Sequence, residues 1–225
     1  MIKKEDYMKI TWIGHAALLL EGSKTVFIDP FISGNPAADM NPDELKGADA
    51  VVVTHDHGDH LGDAYAICEK TGATLFSIFE IADAAAKKGL KAEPMNVGGT
   101  VEAGGVTVSL VPAFHTGGLG GTAVGVIVEF DGKKVYHAGD TGLTKEFELI
   151  GEMYTPDIGF LPIDGRFNMT PRLAAKAVEL LKIPRIVPIH YDTFPLVKSS
   201  PEELKELAQD KSEIIILKPG EFVEI

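Results

Sequence analysis

The apolar run Ala50-Val-Val-Val53 leads directly into Thr54-His-Asp-His-Gly-Asp-His60, and this junction constrains the fold more than any other stretch of the chain. A short apolar run of β-branched residues ending at polar ones reads as a buried β-strand. Residues two apart in extended chain share a face, so His55 and His57 can point the same way. Gly58 lets the backbone turn at small steric cost, and Asp59 and His60 can then aim at a second point close to the first. Neutral imidazole and carboxylate are the ligands that zinc, manganese and iron take. The segment therefore supplies half of a two-metal site. A lone loop histidine is ordinarily solvated, and His-rich tracts can be tags or weak metal sponges. This cluster is internal, follows a buried strand and mixes Asp with His, a context that favours ligation.

The other half must come from elsewhere. Of the 7 histidines, His15, His115, His137 and His190 remain. His115 ends the strand-like run Val106–Phe114 and leads into the Gly-rich loop from Thr116 to Gly121. His190 follows the apolar Ile186-Val-Pro-Ile189. Asp140 lies in Val135-Tyr-His-Ala-Gly-Asp-Thr141, just past a strand, and Asp29 closes Thr25-Val-Phe-Ile-Asp29. Taken singly, each could be a loop residue. Taken together, His and Asp at so many strand ends suit a site built along one edge of a sheet.

In the order Asp29, His55-x-His57-x-Asp59-His60, His115, Asp140 and His190, the chain resembles the metallo-β-lactamase superfamily over essentially its full length. The resemblance implies that His55, His57 and His115 hold one metal. It assigns Asp59, His60 and His190 to a second, with Asp140 bridging the two. Asp29 would orient a ligand imidazole, a role that tunes metal affinity. The segments Ile10-Thr-Trp-Ile-Gly-His15-Ala and Tyr136-His-Ala-Gly-Asp-Thr141 are similar to a small, single-domain group of metal-dependent hydrolases related to bacterial ascorbate-6-phosphate lactonase. True β-lactamases and glyoxalase II enzymes usually differ around the third ligand, where His115 here leads into Thr-Gly-Gly-Leu-Gly-Gly. The diiron flavoproteins carry Glu where this chain has His57, and they add a flavodoxin domain.

Length and charge narrow the partners. At 225 residues the chain fits one large domain, since single cores run to roughly 250 residues. No apolar run approaches the roughly 20 residues that span a bilayer, and the N-terminal residues lack the apolar core of a signal peptide. Cys68 is alone, so no intrachain disulfide can form and a reducing cytoplasm is the expected compartment. The formal charge of −12 disfavours a nonspecific grip on nucleic acid, which needs Lys and Arg against phosphate. A homo-oligomer is compatible with the sequence.

Organisation along the chain is strands first, then strands alternating with helices, in each half. Residues 8–21 and 25–29 read as antiparallel strands with a turn at Gly22-Ser23. Helices are expected over 61–70, containing Cys68 as core filler, and over 79–88, stopped by Gly89. Asp131-Gly132 is a strong hairpin signal between 122–130 and 134–138. Two more helices read over 144–153 and 171–182, the latter with Thr170 as N-cap and Pro171 at its first position. A last strand pair, 213–217 and 221–225, is broken by Pro219-Gly220. Two facing sheets with helices outside would bury both sheets. That α+β, four-layer αββα sandwich over residues 1–225, as a single domain, is also what the resemblance implies.

The expected chemistry is hydrolysis by a metal-bound hydroxide at a dinuclear site. Two divalent ions about 3.5–4 Å apart can share one water and lower its pKa to about 7. Zinc is the first choice, with manganese, iron or nickel also accepted by such ligands. The pocket keeps a positive balance that suits a small anionic ester, lactone or phosphoester. Beside Asp59, the leftover His15 and His137 are the candidates for catalytic groups on the substrate side of the metals. Asp56 reads as a group near the leaving group or as an exposed loop acid, and Arg166 and Tyr191 as binders of an anionic substrate group. An RNA-processing nuclease or phosphodiesterase of the transfer-RNA-processing type shares the His-x-His-Gly-Asp-His spelling. The acidic charge and lack of a basic arm count against it. A non-catalytic metal-binding protein is a third reading, disfavoured by ligands at every family position.

Overall fold

A computed structural model of the chain describes residues 7–42, 45–118 and 121–225. The expected αββα sandwich forms from two seven-stranded mixed sheets. The first begins with β1 (Lys9–Gly14), β2 (Ala17–Glu21) and β3 (Thr25–Ile28), joined as antiparallel neighbours. It continues with β4 (Ala50–Val52), β5 (Thr74–Ile78) and β6 (Ala92–Met95), each parallel to the one before. The second sheet repeats the plan. β7 (Thr100–Ala103), β8 (Val106–Thr116), β9 (Thr122–Phe130) and β10 (Lys133–His137) are antiparallel. β11 (Ile158–Pro162), β12 (Arg185–Ile189) and β13 (Glu213–Ile214) then follow in parallel.

Parallel strands reached through crossover helices are covered on both faces, which is why they read as unbroken apolar runs. All residues of β4 and β11 are buried, and one contiguous apolar core runs through both sheets. Removing such side chains from water contributes roughly 1.5–3 kcal/mol for each fully buried Val, Leu, Ile or Phe. α1 (Gly58–Leu61), α2 (Ala64–Thr71) and α3 (Phe79–Lys87) belong to the first half. α4 (Glu146–Tyr154), α5 (Pro171–Leu181) and α6 (Pro201–Ala208) belong to the second. In α5 the Thr170 hydroxyl accepts the Leu173 N–H at 3.3 Å, and Ala174, Ala177, Val178 and Leu181 form the buried stripe. α4 crosses α5 so closely at Gly151 that a Cβ there would overlap the Leu181 carbonyl.

Three expectations are corrected. Residues 8–21 form a hairpin, not one strand. The chain reverses after Gly14 at φ +133°, and His15 follows at φ +56°. The helix expected over 61–70 breaks between α1 and α2, because Gly62 at φ +38° lies against the Pro30–Phe31 backbone and leaves no room for a Cβ. The last strand pair is not a pair. β13 joins the second sheet, while β14 (Phe222–Glu224) crosses over to pair with β1. Gly220 at φ +85° makes that crossing, and its N–H reaches the Trp12 carbonyl at 2.7 Å. Sequence reading also passed over β5, β6, β7, β11 and α6. The Ser200-Pro201-x-Glu203 start of α6 is a legible helix signal, and the Ser200 hydroxyl does accept the Glu203 N–H at 3.2 Å.

Candidate metal centre

The ends of six strands converge on one edge of the sandwich. His15 follows β1, Asp29 follows β3, and His55, His57, Asp59 and His60 follow β4. His115 is the penultimate residue of β8, Asp140 lies just beyond β10, and His190 directly follows β12. Residues at the end of a strand leave the sheet at its edge, so polar side chains placed there gather without entering the core. Three of these residues hold a left-handed backbone, at φ +56° for His15, +45° for Asp29 and +60° for His190. Such strain in non-glycine residues persists where the surroundings over-determine it, and it clusters at functional sites.

Among the described residues, donor atoms gather in three overlapping groups. His55, His57 and His115 form an outer set; His55, His60 and Asp140, together with His15, Asp59, His60 and His190, form a deeper one. In the outer set, His55, His57 and His115 bring one ring nitrogen each to within 4.8 Å of one another. His55 Nε2 and His57 Nδ1 are 3.0 Å apart. The deeper set centres on Asp140, which is 3% exposed. Its Oδ1 lies 3.3 Å from His60 Nε2 and 3.3 Å from His190 Nε2, and its Oδ2 lies 3.4 Å from His115 Nε2. Asp59 Oδ2 lies 3.8 Å from His190 Nε2.

Buried partners set the tautomers. Asp29, fully buried, accepts from His60 Nδ1 at 2.7 Å and from the Thr54 N–H and hydroxyl at 2.8 and 2.7 Å. His60 therefore turns a bare Nε2 toward Asp140. Asp164 stands beside His190 as an ion-pair partner: its Oδ2 lies 3.1 Å from His190 Nδ1, which favours the proton on that nitrogen, and accepts from Asn168 at 2.7 Å. Three atoms without protons, namely His60 Nε2, His190 Nε2 and Asp140 Oδ1, thus converge in a buried space, and none has a hydrogen-bond partner among the described residues. Buried polar atoms are otherwise almost always paired, and a cation is the partner that three converging lone pairs require. The donor set fits a metal.

Electrostatics follow from the same contacts. Burial pushes Asp164 up, but the hydrogen bonds from His190 and Phe167 outweigh it and bring its carboxyl down to about 2. Burial holds His15 down to about 4, against the opposing Asp59 hydrogen bond, and it lowers His55 and His115 as well. Burial also acts against charge on His60 and His190, yet Asp140 beside them raises both above the usual histidine range.

The centre opens on a cleft of about 260 Å³ lined by His57, Asp59, His115, Thr116, Asp140, Phe167 and His190. His15 and His137 do not line it, and the expectation that they face substrate is corrected. His137 is fully buried, with Nε2 2.8 Å from the Ala16 carbonyl and Nδ1 accepting the Gly139 N–H at 3.0 Å. One ring nitrogen ties His137 to the turn between β1 and β2, and the other holds the backbone that leads to Asp140. His15 sits behind Asp59, with Nε2 3.0 Å from Asp59 Oδ2 and Nδ1 2.9 Å from the Thr193 hydroxyl. Tyr191 faces away from the cleft. It packs on Trp12 with ring centroids 5.4 Å apart and lines a separate hollow of about 510 Å³. Arg166 is exposed, its guanidinium 5.6 Å from the centre of the Phe167 ring at the cleft rim. Asp56 accepts the Gly118 N–H at 2.5 Å and so ties the loop after β8 to the histidine motif. Sequence reading missed Asp164 and Thr193. Asp164 follows the apolar β11 as Asp140 follows β10, so the strand-end argument could have found it. Thr193 carries no such signal.

Comparison with known proteins agrees with this geometry. A family model described as a β-lactamase superfamily domain matches residues 24–191. A metal-dependent hydrolase of Korarchaeum cryptofilum is 50% identical over 222 residues, covering 97% of this chain and 100% of that relative. A metal-dependent hydrolase of Thermococcus onnurineus is 48% identical over 225 residues, again with 97% and 100% covered. Among solved structures, Igni18, a metallo hydrolase from Ignicoccus hospitalis, superposes with a TM-score of 0.91 at 38% identity, covering 97% of this chain and 98% of that one. An isothiocyanate hydrolase from gut bacteria of Delia radicum shares the fold at a TM-score of 0.75 and 21% identity, covering 96% and 98%. Relationship along nearly the whole chain, around a strand edge crowded with unpaired metal donors, leads to one conclusion: this chain belongs to the metallo-β-lactamase superfamily and is one of its metal-dependent hydrolases.

Proposed function

We propose that the protein holds two divalent ions and hydrolyses a small anionic ester, lactone or phosphoester at the cleft. The observation that carries this reading is the convergence of His60 Nε2, His190 Nε2 and Asp140 Oδ1 without a hydrogen between them, beside a second histidine trio. His55, His57 and His115 would hold one ion and Asp59, His60 and His190 the other. Asp140, which reaches His60 and His190 with one oxygen and His115 with the other, would serve both. A bound pair of divalent ions supplies an acidified water and a Lewis acid for a carbonyl or phosphoryl oxygen. Zinc suits this mixed nitrogen and oxygen set, and manganese, iron or nickel are accommodated by the same ligands.

The chain's own residues supply binding and exclusion. The described residues that line the cleft include neither Lys nor Arg, so attraction for an anion falls to the ions, with Arg166 at the rim. The half-exposed Phe167 ring offers one apolar contact to the body of the substrate. A cleft of about 260 Å³ suits a small molecule more than a polymer, and the net charge of −12 opposes the nuclease alternative. The test begins with metal analysis of protein purified without added metal. A panel of lactones, phosphomonoesters, phosphodiesters, thioesters and structured RNA follows. Two ions per chain with turnover of an anionic small ester support the proposal. Turnover of RNA alone, or no metal after reconstitution, would overturn it.

A further inference from the structure

Asp59 differs from the other acids of the centre in being loosely enclosed. Its side chain is 35% exposed, against 4% for Asp140 and 0% for Asp29. It stands on α1, a single turn of helix, and its nearest side-chain partner is His15, whose Nε2 lies 3.0 Å from Oδ2, with His190 Nε2 farther off at 3.8 Å. His15 is fixed by everything around it. The residue is fully buried, and its carbonyl accepts the His190 N–H at 2.9 Å and the Trp12 indole N–H at 3.0 Å. Its ring lies 3.7 Å, centroid to centroid, from the His190 ring, with Phe31 and Phe194 edge-on at 6.0 and 5.7 Å. A carboxylate accepts only, so the Asp59 contact needs the proton on Nε2. Nδ1 is then bare and, at 2.9 Å, takes the hydrogen of the Thr193 hydroxyl in preference to the Tyr191 carbonyl, which lies 3.4 Å from the same oxygen.

We propose that His15 and Thr193 form a positioning relay for Asp59, Thr193 fixing the His15 tautomer and His15 fixing which Asp59 lone pairs face the second ion. The relay rests on the two-ion reading above. Its place is distinct from those of Asp29 and Asp164, which hold His60 and His190. The same geometry accounts for the left-handed backbone of His15, since the turn after Gly14 must swing the ring under His190 to reach Asp59.

Competition titration with zinc and a chelator tests this on the whole chain, comparing the native protein with His15→Ala, His15→Gln and Thr193→Val. Loss of a group that orients a ligand typically lowers metal affinity by about 10–100-fold. We expect that loss in one of the two binding steps for His15→Ala, with the other step unchanged. Thr193→Val should weaken the same step by about 3–10-fold, a lesser share of that same effect. Gln places a donor near the position of Nε2, so His15→Gln should recover most of the loss. X-ray absorption at saturating zinc should count the same number of imidazoles in His15→Ala as in the native protein; one fewer would make His15 a ligand and overturn the relay. Unchanged binding in both His15→Ala and Thr193→Val would also overturn it. If His15→Ala fails to fold by circular dichroism, Thr193→Val alone decides. A native protein that binds fewer than two ions would overturn the two-ion reading and the relay with it.

Discussion

His57 and His115 reach the cleft with His55 buried behind them, whereas His60 and His190 each have a buried acid behind the ring. His57 and His115 are partly exposed, and the polar support of this outer trio is the Thr54 hydroxyl, 3.0 Å from His55 Nδ1. The inner pair is held by Asp29 at 2.7 Å and Asp164 at 3.1 Å, both acids being fully enclosed. The difference teaches how one sheet edge serves two tasks. The inner rings are held in a fixed direction by buried carboxylates in low dielectric. Under the two-ion reading, the rings that line the cleft border the substrate and are braced less.

The largest effect is expected where the two regions share a residue. Asp140→Asn removes a negative charge from both, so each ion should bind at least about 100-fold more weakly by chelator competition, with turnover lost in parallel. Loss of one ion only would show that Asp140 belongs to the inner region alone. Next comes Asp29→Ala, which strands the His60 Nδ1–H and Thr54 donors. It should lower inner-ion affinity about 10–100-fold and unfolding stability by roughly 1–3 kcal/mol in denaturant titration. An equal loss from the outer ion would break the comparison.

Asp164→Asn should weaken the inner ion by about tenfold, and it sharpens the contrast through pH. A carboxyl brought down to about 2 in the folded protein contributes stability that is complete above the unfolded carboxylate pKa and is lost as pH falls through about 2. The native metal-free protein should therefore be about 2 kcal/mol more stable than the variant at pH 5, with the gap closing toward pH 2. Proton release separates the regions further. Asp140 raises His60 and His190, so protons compete with an incoming ion more strongly there than at the outer trio. Burial keeps His55 and His115 deprotonated, so filling the outer trio should release fewer protons. Calorimetry of zinc binding in buffers of differing ionisation enthalpy measures the two steps, and equal release would refute the distinction. The smallest effect belongs to the rim: Asp56→Ala should loosen the loop joined at Gly118 and change KM by less than about tenfold, with metal content unchanged.

Much of this centre could be read from residue order. Thr54 to His60, His115, Asp140 and His190 announce themselves because each follows an apolar run, and a strand that ends in His or Asp has few structural reasons to do so. The same logic extends to Asp164 once residues 158–162 are recognised as an apolar strand, although an Asp-Gly at that place also reads as a turn. His137 shows the opposite failure. It lies three residues before Asp140, yet alternation along β10 turns its ring inward, where Ala16 and Gly139 occupy both nitrogens. Local pattern also misjudged the C-terminal strands, since pairing partners are chosen by the whole sheet and not by neighbours in sequence.

By itself, the sequence determined the ligand types, the strand-and-helix order of both halves and the membership in a family of metal-dependent hydrolases, because apolar periodicity and ligand chemistry are local properties of the chain. The tertiary structure alone decided which histidines point to the cleft and which are buried behind it, that Asp29 and Asp164 brace separate rings, and that Thr193 meets His15 across 178 positions. Those contacts depend on how two sheets and their crossovers bring distant strand ends to one edge. No residue's own neighbours encode that distance.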